Sequence, residues 1–110
     1  MFNKTKAEGF HPIVAGISIK TRVHGEKTLM AEFRIAKGAD LPSHLHPHEQ
    51  TGMLVSGELE LKIGDQVFPA SSGDTWCIPE NVPHSAHAVS DSVVIEVFSP
   101  VREDYLKWLS

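Results

Sequence analysis

Alternation of apolar and polar positions is the strongest signal along this chain, and its period is two. In TLMAEFRIA (28–36), Leu29, Ala31, Phe33 and Ile35 fall on one face while Glu32 and Arg34 point the other way, as in a half-buried strand. GELELKIGDQVF (57–68) is the clearest hairpin. Leu59, Leu61 and Ile63 alternate there with Glu58, Glu60 and Lys62, and Gly64-Asp65 supplies the turn. PIVAGISIK (12–20), DTWCIP (74–79), HSAHAV (84–89) and SVVIEVFSP (92–100) add further short strands. Turn clusters recur about every 8 to 12 residues, the spacing of a β-sandwich or barrel. Only the tail departs from this pattern. In REDYLKWLS (102–110), Tyr105, Trp108 and Leu109 lie at i, i+3 and i+4 with Leu106 beside them, which predicts one or two helical turns. No repeat or linker interrupts the chain, so residues 1–110 are expected to form one domain.

Composition narrows the class without naming it. A chain of 110 residues is large enough to bury a core without disulfides. Fourteen acidic residues against 10 basic ones give a net charge of −4, and no basic stripe offers itself to nucleic acid or an anionic membrane. The single cysteine, Cys77, excludes an intrachain disulfide framework and suits a reducing cytoplasm. Flanked by Trp76 and Ile78, it reads as a buried core thiol. No window approaches the roughly 18 apolar residues of a spanning helix, and the start, MFNKTKAEGFHP, lacks a secretory apolar region. A small, soluble cytoplasmic protein is expected.

The candidate chemistry lies in the histidines, seven in all. Three crowd into SHLHPHEQ (43–50). His44 and His46 are two apart, so in an extended segment both face one side, and Gln50 keeps the same parity. His48 would share it, but Pro47 and Glu49 suggest a bend. Imidazole nitrogen and amide oxygen are both competent ligands for a divalent ion. Three groups from one strand and a fourth from a neighbour would complete a site. The fourth is sought where a histidine opens a strand after a tight turn, and GDTWCIPENVPHSAH (73–87) supplies His84 behind the stiff stretch from Pro79 to Pro83. Asn81 sits there at a plausible left-handed position. His48 and His87 read as neighbours or rim residues, and His11 and His24 as exposed surface.

At this point the sequence resembles a cupin. The first cupin motif, G-x5-H-x-H-x3,4-E-x6-G, is matched by Gly38, His44, His46 and Gly57, with Gln50 in the Glu place. In the second, G-x5-P-x-G-x2-H-x3-N, Gly73, Pro79 and His84 match, Asn81 replaces the glycine and Ala88 the final asparagine. The resemblance implies an all-β double-stranded β-helix, a jelly-roll barrel with a short C-terminal helix, holding one divalent ion (Zn, Ni, Mn or Fe) through His44, His46, Gln50 and His84. It also implies back-to-back homodimers. A Gln in place of Glu leaves four neutral ligands, so the ion keeps more of its charge and polarises a bound oxygen more strongly.

The last strand adds a second constellation. Val93, Ile95 and Val97 share one face, fit for outer packing or a subunit interface; Val94, Glu96 and Phe98 share the other. Alternation leaves two readings open. Either Glu96 faces a cavity as an acid/base, with Phe98 as a ring platform and Arg102 as an anion clamp, or Glu96 is exposed and Arg102 pairs with Glu103 or Asp104. A closer resemblance favours the first. HPHEQ, VSGELELKIG, GDT, NVPH and VFSPVREDYL look like the small cupins of pectin and alginate breakdown, which convert 4,5-unsaturated uronates into linear ketones. That family's acid, Phe and Arg on the final strand match Glu96, Phe98 and Arg102, although the acid there is Asp. The expected partner is therefore a small anionic sugar acid. Metal-dependent oxygen chemistry and a non-catalytic, ligand-sensing cupin are the alternatives.

Overall fold

The computed structural model describes residues 1–109, in which ten strands and one short helix are arranged as two facing sheets. The strands are β1 (His11–Val14), β2 (Ile17–His24), β3 (Leu29–Ile35), β4 (Asp40–His44), β5 (Glu49–Ser56), β6 (Glu58–Ile63), β7 (Gln66–Ser71), β8 (Thr75–Ile78), β9 (His84–Ala88) and β10 (Ser92–Ser99). Six form one sheet in the order β1-β2-β3-β10-β5-β8, and four form the other in the order β4-β9-β6-β7. Every pairing between strands is antiparallel. This is the all-β jelly roll that the patterning and motifs lead one to expect.

Parity decides what lies between the sheets. Leu29, Ala31, Phe33 and Ile35 of β3 are all buried, as are Val94 and Phe98 of β10 and Leu59 and Leu61 of β6. A fully buried Leu or Phe contributes roughly 1.5–3 kcal/mol, so these one-sided strands make the two-sheet arrangement stable. Residues 12–20 are two strands rather than one: the chain reverses at Ala15 and Gly16, where Gly16 has φ +78° and a Cβ would press on Ala39. That left-handed turn is open to glycine at little cost.

The tail folds as a 3₁₀ helix, Glu103–Trp108. Tyr105 and Trp108 pack on the core, whereas Leu106 and Leu109 stay exposed. Thr21 Oγ1 donates to Tyr105 O at 2.6 Å, and the Tyr105 ring meets Phe33 and Phe98 edge-on at 6.2 and 5.4 Å. The helix thereby closes one end of the barrel. Among the described residues no helix is long and apolar enough to cross a membrane.

At the other extreme of the chain, residues 1–10 cross the outer face of the larger sheet. Lys20, only 1% exposed, donates from Nζ to Lys6 O and Glu8 O at 2.6 and 2.8 Å. Phe10 lies against both Lys20 and Arg34, 4.7 and 4.2 Å from its ring centre. One buried ammonium thus fastens a segment that makes no ladder of its own. Lys20→Met should release it. Limited trypsinolysis followed by mass spectrometry would then show faster cleavage at Lys4 and Lys6 with the barrel intact, and unchanged cleavage would mean that Lys20 is not the fastener.

Candidate functional site

His44 closes β4 and His84 opens β9, and the antiparallel register sets them directly opposite one another. Their ring centres are 4.2 Å apart. His46 follows in the link to β5, with its ring 5.0 Å from that of His84. Among the described residues these three form the group of His, Cys, Asp or Glu that could hold a metal ion, with ligand atoms all within 4.8 Å of one another. Gln50, on β5, brings Oε1 to 3.0 Å from His46 Nε2. The expectation of three groups on one extended strand needs correcting. His44 belongs to the four-stranded sheet and Gln50 to the six-stranded one, and the chain bends at Pro47 and His48 between them. Crossing from sheet to sheet, rather than strand parity, brings the groups together.

The backbone orients each ring. Nδ1–H of His44 donates to Pro42 O at 2.8 Å, that of His46 to His48 O at 3.0 Å, and that of His84 to Val82 O at 2.8 Å. With Nδ1 committed as donor, each Nε2 carries a lone pair. His84 Nε2 is buried with no partner. His46 Nε2 faces the amide oxygen of Gln50, acceptor against acceptor. Buried lone pairs left this way are costly unless a cation lies among them. Burial, helped by the Arg102 charge, holds His46 down to about 4, and burial lowers His84 as well. His46 and His84 are therefore held neutral near pH 7, the state that metal binding requires. Three nitrogens and one amide oxygen fit a divalent transition ion.

The turn before β9 is tied to this centre. Asn81 has φ +60°, and its N–H donates to His46 O at 2.8 Å. Asn accepts that left-handed conformation more readily than most residues.

Glu96 points into the barrel and is 5% exposed. Its Oε1 accepts from Trp76 Nε1 at 2.9 Å, while Oε2 is buried without a hydrogen-bond partner. Burial pushes its pKa up to about 7, against the pull of the Gln50 amide and the Trp76 N–H. Phe98 is buried with its ring 5.8 Å from that of His46. Arg102 stacks at 3.9 Å over Tyr105 and 5.1 Å over Phe98. It also pairs with Asp104 through Nε and Nη2, at 3.2 and 2.8 Å, leaving Nη1 for another acceptor. Arg102 thus makes the Asp104 pair that one of the two readings gave it, while its side chain also lines the cavity. One cavity is lined by His44, Gln50, His84, Glu96, Phe98 and Arg102, and its remaining wall is mostly apolar.

The other singled-out residues lie elsewhere. His48 is a neighbour of His46, at 5.5 Å between rings, and lends it a backbone carbonyl. His87 faces outward and donates to Asp40 Oδ1 at 2.7 Å. His11 and His24 are exposed. Cys77 is exposed and not a core thiol: β8 alternates, and Trp76 and Ile78 take the inward places. Among the cavity residues that escaped the sequence reading are Trp76 and Tyr105. The parity of Trp76 with Ile78 was the available signal.

The chain belongs to the cupin family, whose Cupin domain profile matches residues 31–99. Within that family it is similar to the pectin degradation protein KdgF of Dickeya dadantii, 30% identical over 93 residues that cover 83% of this chain and 84% of that protein. The solved structure of KdgF from Halomonas sp. superposes with a TM-score of 0.91 at 30% identity, covering 96% of this chain and 98% of that one. An RmlC-like cupin from Shewanella frigidimarina follows at TM-score 0.84 and 26% identity, covering 88% and 87%.

Glu96 makes stability depend on pH in a definite direction. Its folded pKa of about 7 lies above its ordinary 4.5, so the fold favours the protonated acid. Stability is therefore lost as pH rises from about 4.5 through 7. Glu96→Gln removes that loss. In chelator-treated protein, urea denaturation at pH 5 and pH 8 should show the variant gaining about 2–3 kcal/mol on the wild type between the two. An unchanged difference would mean a solvated carboxylate.

Proposed function

We propose that this cupin converts small 4,5-unsaturated uronates to their linear ketone forms with the help of one divalent ion, Zn, Ni, Mn or Fe. The observation that carries the reading is a buried carboxyl, one oxygen unpartnered, in the same cavity as His44 and His84 of the three-histidine cluster. Likeness to a pectin degradation protein supports the substrate class. His44, His46, Gln50 and His84 would hold the ion. When bound, it supplies Lewis-acid polarisation of a substrate oxygen.

The chain's own groups do the rest. Nη1 of Arg102 takes the substrate carboxylate, in the planar geometry suited to that partner. Phe98 offers an apolar face to the sugar ring, and the apolar wall excludes water. Ring opening breaks the bond from the hemiacetal carbon to the ring oxygen while the hemiacetal hydroxyl proton passes to that freed oxygen, giving an aldehyde and an enol. Transfer of the enol's hydroxyl proton to its neighbouring carbon turns it into the ketone. Glu96 Oε2, near neutrality and without another partner, moves that proton. No co-reactant is consumed.

Metal-reconstituted protein mixed with a lyase-generated unsaturated uronate should deplete the conjugated ultraviolet absorbance faster than the spontaneous rate. Chelator should abolish the effect, and His84→Ala should lose the metal. Glu96→Gln should lower kcat by about 10²–10⁴-fold, and Arg102→Ala should act chiefly on KM. Absence of acceleration in the wild type would sink this reaction.

The outer face of the larger sheet supports a homodimer. Val93, Ile95 and Val97 form a half-buried apolar strip there, beside exposed Met30, Met53 and Val55. Sedimentation equilibrium should give twice the chain mass, and a monomer at micromolar concentration would remove the dimer.

A further inference from the structure

Three strands meet around Gly52. The register sets it opposite Glu96 on one side and opposite Trp76 on the other. Gly52 has no positive φ to explain its identity, since it is absent from the left-handed glycines of this chain. Space explains it instead. A Cβ at Gly52 would collide with Glu96 Oε2, Trp76 Nε1 and Glu96 Cδ. The missing side chain lets the carboxyl and the indole approach each other over the bare backbone of β5, where they form the 2.9 Å hydrogen bond. That bond occupies Oε1 alone and leaves Oε2 as the free oxygen.

We propose that Trp76 is a positioning residue for Glu96, acting across Gly52: the indole N–H fixes Oε1 so that Oε2 is presented to the substrate. This rests on the proposed reaction, in which Glu96 carries the proton. The clasp also gives the length of the acid a purpose. Removing one methylene would draw the carboxyl back by about 1.5 Å, out of hydrogen-bond reach of Nε1. Trp76, Gly52 and Glu96 therefore act as one unit, and their effects are coupled rather than additive.

The test is a double-mutant cycle with a spectroscopic arm. Trp76→Phe should lower kcat about ten- to a hundredfold, as loss of positioning does, with KM and Ni²⁺ affinity changed less than about twofold. Gly52→Ala, which forces the pair apart, should do the same. In a Glu96→Asp background, Trp76→Phe should cost nothing further. Full additivity, or wild-type kcat in Trp76→Phe, overturns the proposal. The two tryptophans give two indole N–H signals by NMR, and Trp76→Phe assigns one. That signal should sit downfield and exchange slowly in the wild type, and should revert to the free-indole position in Glu96→Asp. Indifference to Glu96→Asp overturns the clasp. Were the wild type itself inactive on unsaturated uronates, the proposed reaction would fall, and the indole signal alone would decide the clasp.

Discussion

Three backbone carbonyls govern the centre of this molecule. Pro42, His48 and Val82 take the Nδ1 protons of His44, His46 and His84, which leaves every Nε2 lone pair to face the others. Side chains alone could rotate out of so unfavourable a gathering. Here they are held, because each carbonyl belongs to the same tight stretch of chain as the ring that it orients, two residues away in every case. The jelly roll is what brings these stretches together. His44 and His84 meet by ladder register, and His46 is anchored to the Asn81 turn through its own carbonyl.

A cavity of this kind sets stability against readiness for chemistry. Its wall is largely apolar, and burial there keeps His46 and His84 neutral and the carboxyl of Glu96 reluctant to ionise. A fold optimised for stability alone would satisfy or replace His84 Nε2 and Glu96 Oε2. Both remain buried and unpartnered, which is a cost carried by the free protein and offset elsewhere in the core. Phe33, Leu54, Val94 and Phe98 supply much of that offset.

Where burial follows strict alternation, the sequence was legible. The faces of β3 and β6 could be read from parity, parity grouped Val94, Glu96 and Phe98 on one face of β10 without saying which way it points, and the motif glycines and histidines marked the cupin barrel. Parity failed where the chain leaves a single strand. The run from Pro12 to Lys20 looked continuous because Ala15 is apolar and Gly16 is small, yet a turn divides it. His44, His46 and Gln50 looked collinear, but two of them lie in different sheets and the third lies in the link between. Cys77 looked buried because its neighbours are apolar, and alternation sends it outward for that same reason. Lys20 gave no sign of burial, since its partners are carbonyls of a segment without pattern.

The acid on β10 shows why a motif residue is a poor unit of inference. The family resemblance implies Asp at this position, and a Glu there, judged alone, displaces the carboxyl by a bond length. The displacement is not free to fall anywhere. Register fixes the Glu96 backbone beside Gly52, the missing Cβ there opens a passage, and Trp76 on the next strand stands at its far end as a donor. A longer acid, a bare glycine and an indole N–H are three departures from bland strand sequence that make sense only together. An Asp in this frame would fall short of the indole and leave a buried donor unpaired. The constraint on Glu96 is thus the width of one strand, spanned between its two neighbours.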